Sequence, residues 1–167
     1  GSSRGKDRVF ISQLLQKLRA PGLRAEGVIA LAGELVSHGA LRAGNERAAT
    51  TLLAALGRIG KWEYAVALLR QMERPNRFSY NAAVSACAKG RQCAHALALL
   101  GEMRARGIAP DVVSYSAAIS ACAHGALWQR ALELLAEMEA SGLCPDVISY
   151  SSAIAACKRG AQWERAL

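Results

Sequence analysis

Residues 112–146 read VVSYSAAISACAHGALWQRALELLAEMEASGLCPD. Two apolar patterns with helical spacing lie in this stretch, separated by Gly125 and Ala126. Tyr115, Ala118, Ile119 and Cys122 recur at steps of three and four, which places them on one face of a helix over 114–124. Trp128 to Ala140 forms a second helix, with Ala131, Leu134, Leu135 and Met138 as its stripe. Gly142 sits where a helix end favours glycine, and Pro145 prevents continuation. Asp146 then precedes the next helix, where a short acceptor side chain caps free backbone N–H groups.

Working outward, the same unit returns every 35 residues. Tyr80, Tyr115 and Tyr150 keep that step, as do Cys87, Cys122 and Cys157, and Gly90, Gly125 and Gly160. Met103, Gly107, Pro110 and Asp111 recur as Met138, Gly142, Pro145 and Asp146. The unit 77–111 therefore has the same anatomy, with Asn81 to Lys89 in its first helix and His95 to Arg104 in its second. Residues 46–76 align at Trp62, Ala65 and Met72 but form a unit of only 31 residues, and the missing residues are assigned to the connection after Met72. Residues 147–167 open a further, partial unit. Leu167 falls inside its second-helix pattern, so the array is expected to continue. Residues 1–45 are less regular: Val9 to Leu18 and Val28 to Val36 read as helices broken at Pro21-Gly22, a divergent repeat or an N-terminal capping pair. A fixed period of this size predicts an all-α solenoid of antiparallel helix pairs, an extended binding surface rather than a catalytic pocket.

Composition narrows the classes. Of the 167 residues 52% are hydrophobic, too many for a disordered chain, and no apolar run is long enough to span a membrane. The net charge of +8 favours a polyanionic partner, a nucleic acid or an anionic membrane surface. Three of the five cysteines share one repeat position, and Cys93 and Cys144 stand apart without ligand spacing, so all five are expected as reduced thiols and none as a zinc ligand. There is no paired-carboxylate constellation or Gly-rich phosphate loop, and His38, His95 and His124 lack an evident nucleophile partner. An enzyme is not expected within these residues, and no cofactor is.

The strings Val-Val-Ser-Tyr-Ser-Ala-Ala-Ile-Ser-Ala-Cys (112–122), Arg-Ala-Leu-Glu-Leu-Leu-Ala-Glu-Met (130–138) and Gly-Leu-Cys-Pro-Asp (142–146) closely resemble the pentatricopeptide repeat, whose signature ends in Met, then Gly four residues on, then Pro-Asp. The 31-residue unit is similar to the short variant of the same family. This resemblance implies a right-handed superhelix with the first helices lining the concave surface. It also implies binding of single-stranded RNA, one base per repeat, in an organelle (mitochondrion or chloroplast).

The resemblance further implies which side chains meet the RNA. A residue near the start of the first helix and the last residue of the repeat would together read a base: Thr50 with Asn76, Asn81 with Asp111, Ser116 with Asp146, and Ser151 in the partial unit. The family's pairing tendencies imply adenine, uracil and guanine for the three complete pairs, hence 5′-A-U-G-3′. Phe78, Val113 and Ile148 would sandwich bases, with Arg47 in the corresponding place of the short unit. Near the end of each first helix, Arg58, Lys89, His124 and Arg159 would approach phosphates. Cations at these helix C-termini also favour the helix dipole by about 0.3–1 kcal/mol each.

Other repeated residues read as structural. Tyr80, Tyr115 and Tyr150, and Trp62, Trp128 and Trp163, are expected between helices. Glu102, Glu133, Glu137 and Glu139 read as a solvated face of the second helices. The alternative function is a helical scaffold that contacts proteins or RNA within a large assembly such as an organellar ribosome.

Overall fold

The computed structural model describes residues 2–19, 24–38 and 45–160, and among these it holds nine α-helices. They are α1 (Ser2–Arg19), α2 (Ala25–Ser37), α3 (Glu46–Arg58), α4 (Trp62–Gln71), α5 (Arg77–Lys89), α6 (Cys93–Ala105), α7 (Val112–His124), α8 (Trp128–Ala140) and α9 (Val147–Arg159). Expectations resting on Pro21-Gly22 and on residues 161–167, including Trp163, lie outside the described residues.

The odd-numbered helices form one continuous row, α1 on α3, α3 on α5, α5 on α7 and α7 on α9. Each even-numbered helix packs on its own first helix and on the next one, as α6 does on α5 and α7. Among the described residues, second helices do not pack backbone against backbone on each other. The result is a helical-repeat solenoid. Small residues let the first helices approach: a Cβ on Gly57 of α3 would lie 3.2 Å from Ala86 Cβ of α5. Between the rows lie Leu52, Leu53, Leu56, Val84, Leu100, Met103, Ile119, Leu134 and Met138, all buried. Burying side chains of this kind stabilises by about 1.5–3 kcal/mol each relative to exposure.

Gly107 and Gly142 end the second helices in the left-handed region, at φ +72° and +74°. Their turns are closed by Ile108 N–H donating to Met103 O and Leu143 N–H to Met138 O. The short unit differs from its sequence reading. α4 has 10 residues against 13 in α6 and α8, and Met72, which aligns with the helical Met103, is already extended at ψ 131°. Most of the deletion thus comes out of the last helical turn rather than the connection. Pro75 supplies the reason, because its ring would clash with the carbonyl four residues back, at Gln71, if the helix ran on.

The aromatic residues mostly follow expectation. Tyr80 is buried and donates its hydroxyl to Glu102 (2.9 Å), and Tyr115 is buried and accepts from Arg104 (2.8 Å). Tyr150 departs from it, at 47% exposed. The residues expected from sequence to open the second helix of its unit lie outside the described residues. The glutamates are more engaged than a solvated face requires. Glu137 pairs with Arg104 (2.6 Å) and Arg130 (3.3 Å), which ties α6 to α8.

Four cysteines are buried and Cys144 is exposed. Burial pushes the Cys87 thiol up to about 11 and raises Cys122 further, where the Cys93 thiol adds to the effect from 3.2 Å away. Since the thiolate is the nucleophile, a soluble alkylating reagent at neutral pH is expected to label Cys144 well before the others, as read by mass spectrometry. Equal labelling of Cys87 and Cys144 in the folded state would contradict this packing.

Candidate nucleic-acid interface

At the α3–α5, α5–α7 and α7–α9 seams, the residue that caps the later first helix organises the contact. At the α5–α7 seam this is Asp111, extended at φ −114°, ψ −176°. Its Oδ1 accepts the Ser114 backbone N–H at 3.0 Å, and the Asp111 N–H donates to Ser114 Oγ at 3.1 Å, a reciprocal capping box. The same Oδ1 accepts from Asn81 Nδ2 at 3.0 Å, and the Ser114 hydroxyl donates to Asn81 Oδ1. Oδ2 faces Arg77 Nε at 3.3 Å. Partial burial works against the charge on Asp111. The Ser114 N–H, the Asn81 amide, the Ser114 hydroxyl and the Arg77 guanidinium outweigh it and hold the carboxyl below its usual range.

The α7–α9 seam repeats the plan with a hydroxyl in place of the amide. Asp146 caps α9 by accepting the Ser149 N–H at 2.8 Å, and Ser116 Oγ lies 3.1 Å from its Oδ1. Ser116 also reaches Val112 O (2.7 Å) and Ser149 Oγ (2.7 Å). The Ser149 N–H is the main influence holding the Asp146 carboxyl low. At the α3–α5 seam Asn76 caps α5 through Ser79 (3.0 Å), while Thr50 turns its hydroxyl onto Glu46 O of its own helix (2.8 Å). Asn81–Asp111 and Ser116–Asp146 are therefore bonded pairs. Thr50 and Asn76 share a groove wall instead. Ser151 is exposed on α9 and donates to Ile148 O.

Two grooves run along this face. One of about 430 Å³ brings Arg47, Thr50, Arg58, Asn76 and Phe78 together. The other, about 260 Å³, gathers Lys89, Val113, Ser116, His124, Asp146 and Ile148. Phe78, Val113 and Ile148 are 63%, 56% and 59% exposed, so packing between first helices does not account for them.

The four cations are not equivalent. Arg159 donates to Ala123 O at 2.8 Å, and Arg58 approaches Leu18 O at 3.5 Å, each at the C-terminal end of the preceding first helix. Both therefore serve the helix dipole while remaining exposed. His124 Nδ1 sits 2.7 Å from Ser120 O. Lys89 is exposed on the groove wall beside it.

Sequence reasoning missed two participants. Ser79, Ser114 and Ser149 recur at the same 35-residue step as the residues it used, and this signal was available. Arg77 has no repeated signal, since Val112 and Val147 hold its place in later units. Among the described residues, no group of three or more His, Cys, Asp or Glu side chains is placed to hold a metal ion.

Residues 48–76 and 113–143 match the sequence model of the PPR repeat, and residues 75–124 that of the PPR repeat family. The chloroplastic pentatricopeptide repeat-containing protein 10 of Zea mays is 40% identical over 70 residues, 39% of this chain and 9% of that protein. The crystal structure of PPR10 from maize matches with a TM-score of 0.70 at 28% identity, over 93% of this chain and 23% of that one. The structure of PPR10 in complex with an 18-nt psaJ RNA element matches with a TM-score of 0.60 at 27% identity, over 87% and 24%. The chain thus spans less than a quarter of these relatives. Period, helix pairing and these matches agree, and the chain belongs to the pentatricopeptide repeat family.

Proposed function

We propose that this chain binds single-stranded RNA along the row of first helices, one base to a seam. The observation that carries this reading is the groove between α5, α7 and α9. It gathers a bonded polar pair (Ser116, Asp146), two exposed apolar side chains (Val113, Ile148) and two basic ones (Lys89, His124). Splayed bases need that combination: directional hydrogen bonds for the edge, apolar contact for the face and positive charge for the phosphate. The RNA complex of the maize relative supports the same partner. In this reading Asn81–Asp111 takes uracil, Ser116–Asp146 takes guanine and Thr50 with Asn76 takes adenine. The chloroplastic relative supports an organellar setting, and there the chain would act in transcript processing, stability or translation.

Fluorescence-anisotropy titration at low salt is expected to show tighter binding to RNA containing A-U-G than to a scrambled control. Asn81→Ser should change the preferred base at the middle position. Lys89→Ala should weaken all sequences alike and reduce the salt slope by about one. Absence of binding at low salt, or equal affinity for both RNAs, would overturn the reading.

A further inference from the structure

We propose that Arg77 sets how strictly the unit 77–111 separates uracil from cytosine, by occupying the outer carboxylate oxygen of Asp111. The inference rests on the base-reading role proposed above for Asn81 and Asp111. Where α7 and α9 open on valine, α5 opens on arginine. Its Nε lies 3.3 Å from Asp111 Oδ2, and its guanidinium carbon lies 5.8 Å from the centroid of the Phe78 ring. Phe78 is exposed, so Arg77 is held against the surface that would face a base.

Counting donors and acceptors gives the consequence. Oδ1 of Asp111 already accepts from Asn81 Nδ2 and the Ser114 N–H, so Oδ2 is the oxygen left to accept from an incoming edge. Asn81 Oδ1 is taken by the Ser114 hydroxyl, which leaves one Nδ2 hydrogen for a base. Uracil presents O4, N3–H and O2. A free Oδ2 would accept N3–H while Asn81 donates to O4. Cytosine presents an amino group, an N3 lone pair and O2, and a bare carboxylate would repel that lone pair. Arg77 changes both terms. It neutralises Oδ2 against uracil N3–H, and its remaining N–H groups are donors that the cytosine N3 lone pair accepts and uracil N3–H cannot. Uracil keeps its advantage through Asn81, but a smaller one.

The test is competition binding with four RNAs that differ only at the base facing this unit, for wild type, Arg77→Val, Arg77→Gln and Asn81→Ser. Thermal melts check that each variant folds. Arg77→Val, which installs the residue of the neighbouring units, is expected to raise the uracil-to-cytosine affinity ratio by about three- to tenfold, the scale of one exchanged hydrogen bond. Arg77→Gln should move the ratio the same way, because it also removes the cation from Oδ2. A uniform loss across all four bases would make Arg77 a phosphate contact and overturn the inference. So would an unchanged ratio. If wild type and Asn81→Ser share one flat base preference, the underlying base-reading proposal fails, and this inference fails with it.

Discussion

Replacing Asp111 by alanine is expected to lower stability by about 2–4 kcal/mol, the larger of two outcomes that look equivalent in sequence. The carboxylate caps α7, and losing such a cap costs about 0.5–2 kcal/mol. It also satisfies the buried Asn81 amide, and an orphaned buried donor adds about 1–3 kcal/mol. Asp146→Ala removes the corresponding cap of α9 but should cost only about 1 kcal/mol, since Ser116 keeps its bond to Val112 O. Asp111→Asn retains a good cap and should fall between wild type and alanine. Urea denaturation of the three variants decides the matter, and equal losses for Asp111→Ala and Asp146→Ala would refute the network. The pH dependence has a fixed sign. Both carboxyls are held below their usual range, so their contribution is present above the ordinary carboxylate pKa and is lost as pH falls through the folded value. The gap between wild type and Asp111→Ala should therefore narrow in acid, toward that of Asp111→Asn.

The second large effect concerns a glycine whose conformation is ordinary. Gly90, Gly125 and Gly160 follow first helices at φ −74°, −87° and −79°, so none needs glycine for its backbone. What differs is the neighbour. A Cβ on Gly90 would collide with Cδ1 and Cγ of Trp62, and one on Gly160 with Cδ1 of Trp128. At Gly125 the ring is replaced by Cys93, whose Cβ would be 3.6 Å away, an ordinary contact. Gly90→Ala is expected to cost about 1–3 kcal/mol by overpacking. Gly125→Ala should be neutral or stabilise by up to about 1 kcal/mol, through the lower entropy of its unfolded chain. In a Trp62→Cys background the penalty of Gly90→Ala should vanish, a coupling that a double-mutant cycle reads directly. A comparable cost at all three glycines would contradict the packing.

These cases show where sequence was sufficient. The 35-residue step and the Gly-Pro-Asp punctuation placed α8 at Trp128–Ala140, because glycine, proline and a capping acid act locally and leave the helix few alternatives. The same locality made Asp111 and Asp146 readable as caps. The resemblance placed Lys89, Val113, Ser116, His124, Asp146 and Ile148 in RNA-binding positions, and the fold brings all six to one groove. What escaped were contacts between residues far apart in the chain. The hydroxyl of Ser114 reaches Asn81 across 33 residues, and the Cys93 thiol touches Cys122 across 29. Arg77 engages Asp111 from the far end of the same unit. Such pairs depend on how neighbouring helices are rotated, which a one-dimensional pattern does not encode. The short α4 escaped for another reason: the alignment located the deletion by residue identity, while Pro75 acts backward along the chain.

The reciprocal box of Ser114 with Asp111 has a practical meaning for anyone cutting and rejoining such arrays. The side chain at the end of one unit takes its orientation from the third residue of the next. A cassette cut after Asp111 would carry the acid away without the serine that aims it, and the recipient's next unit would have to supply one. Cassettes cut instead between Ser114 and Tyr115 move the acid and its serine as a single piece. The natural joint for rewriting this chain therefore lies one helical turn beyond the joint that the 35-residue count suggests.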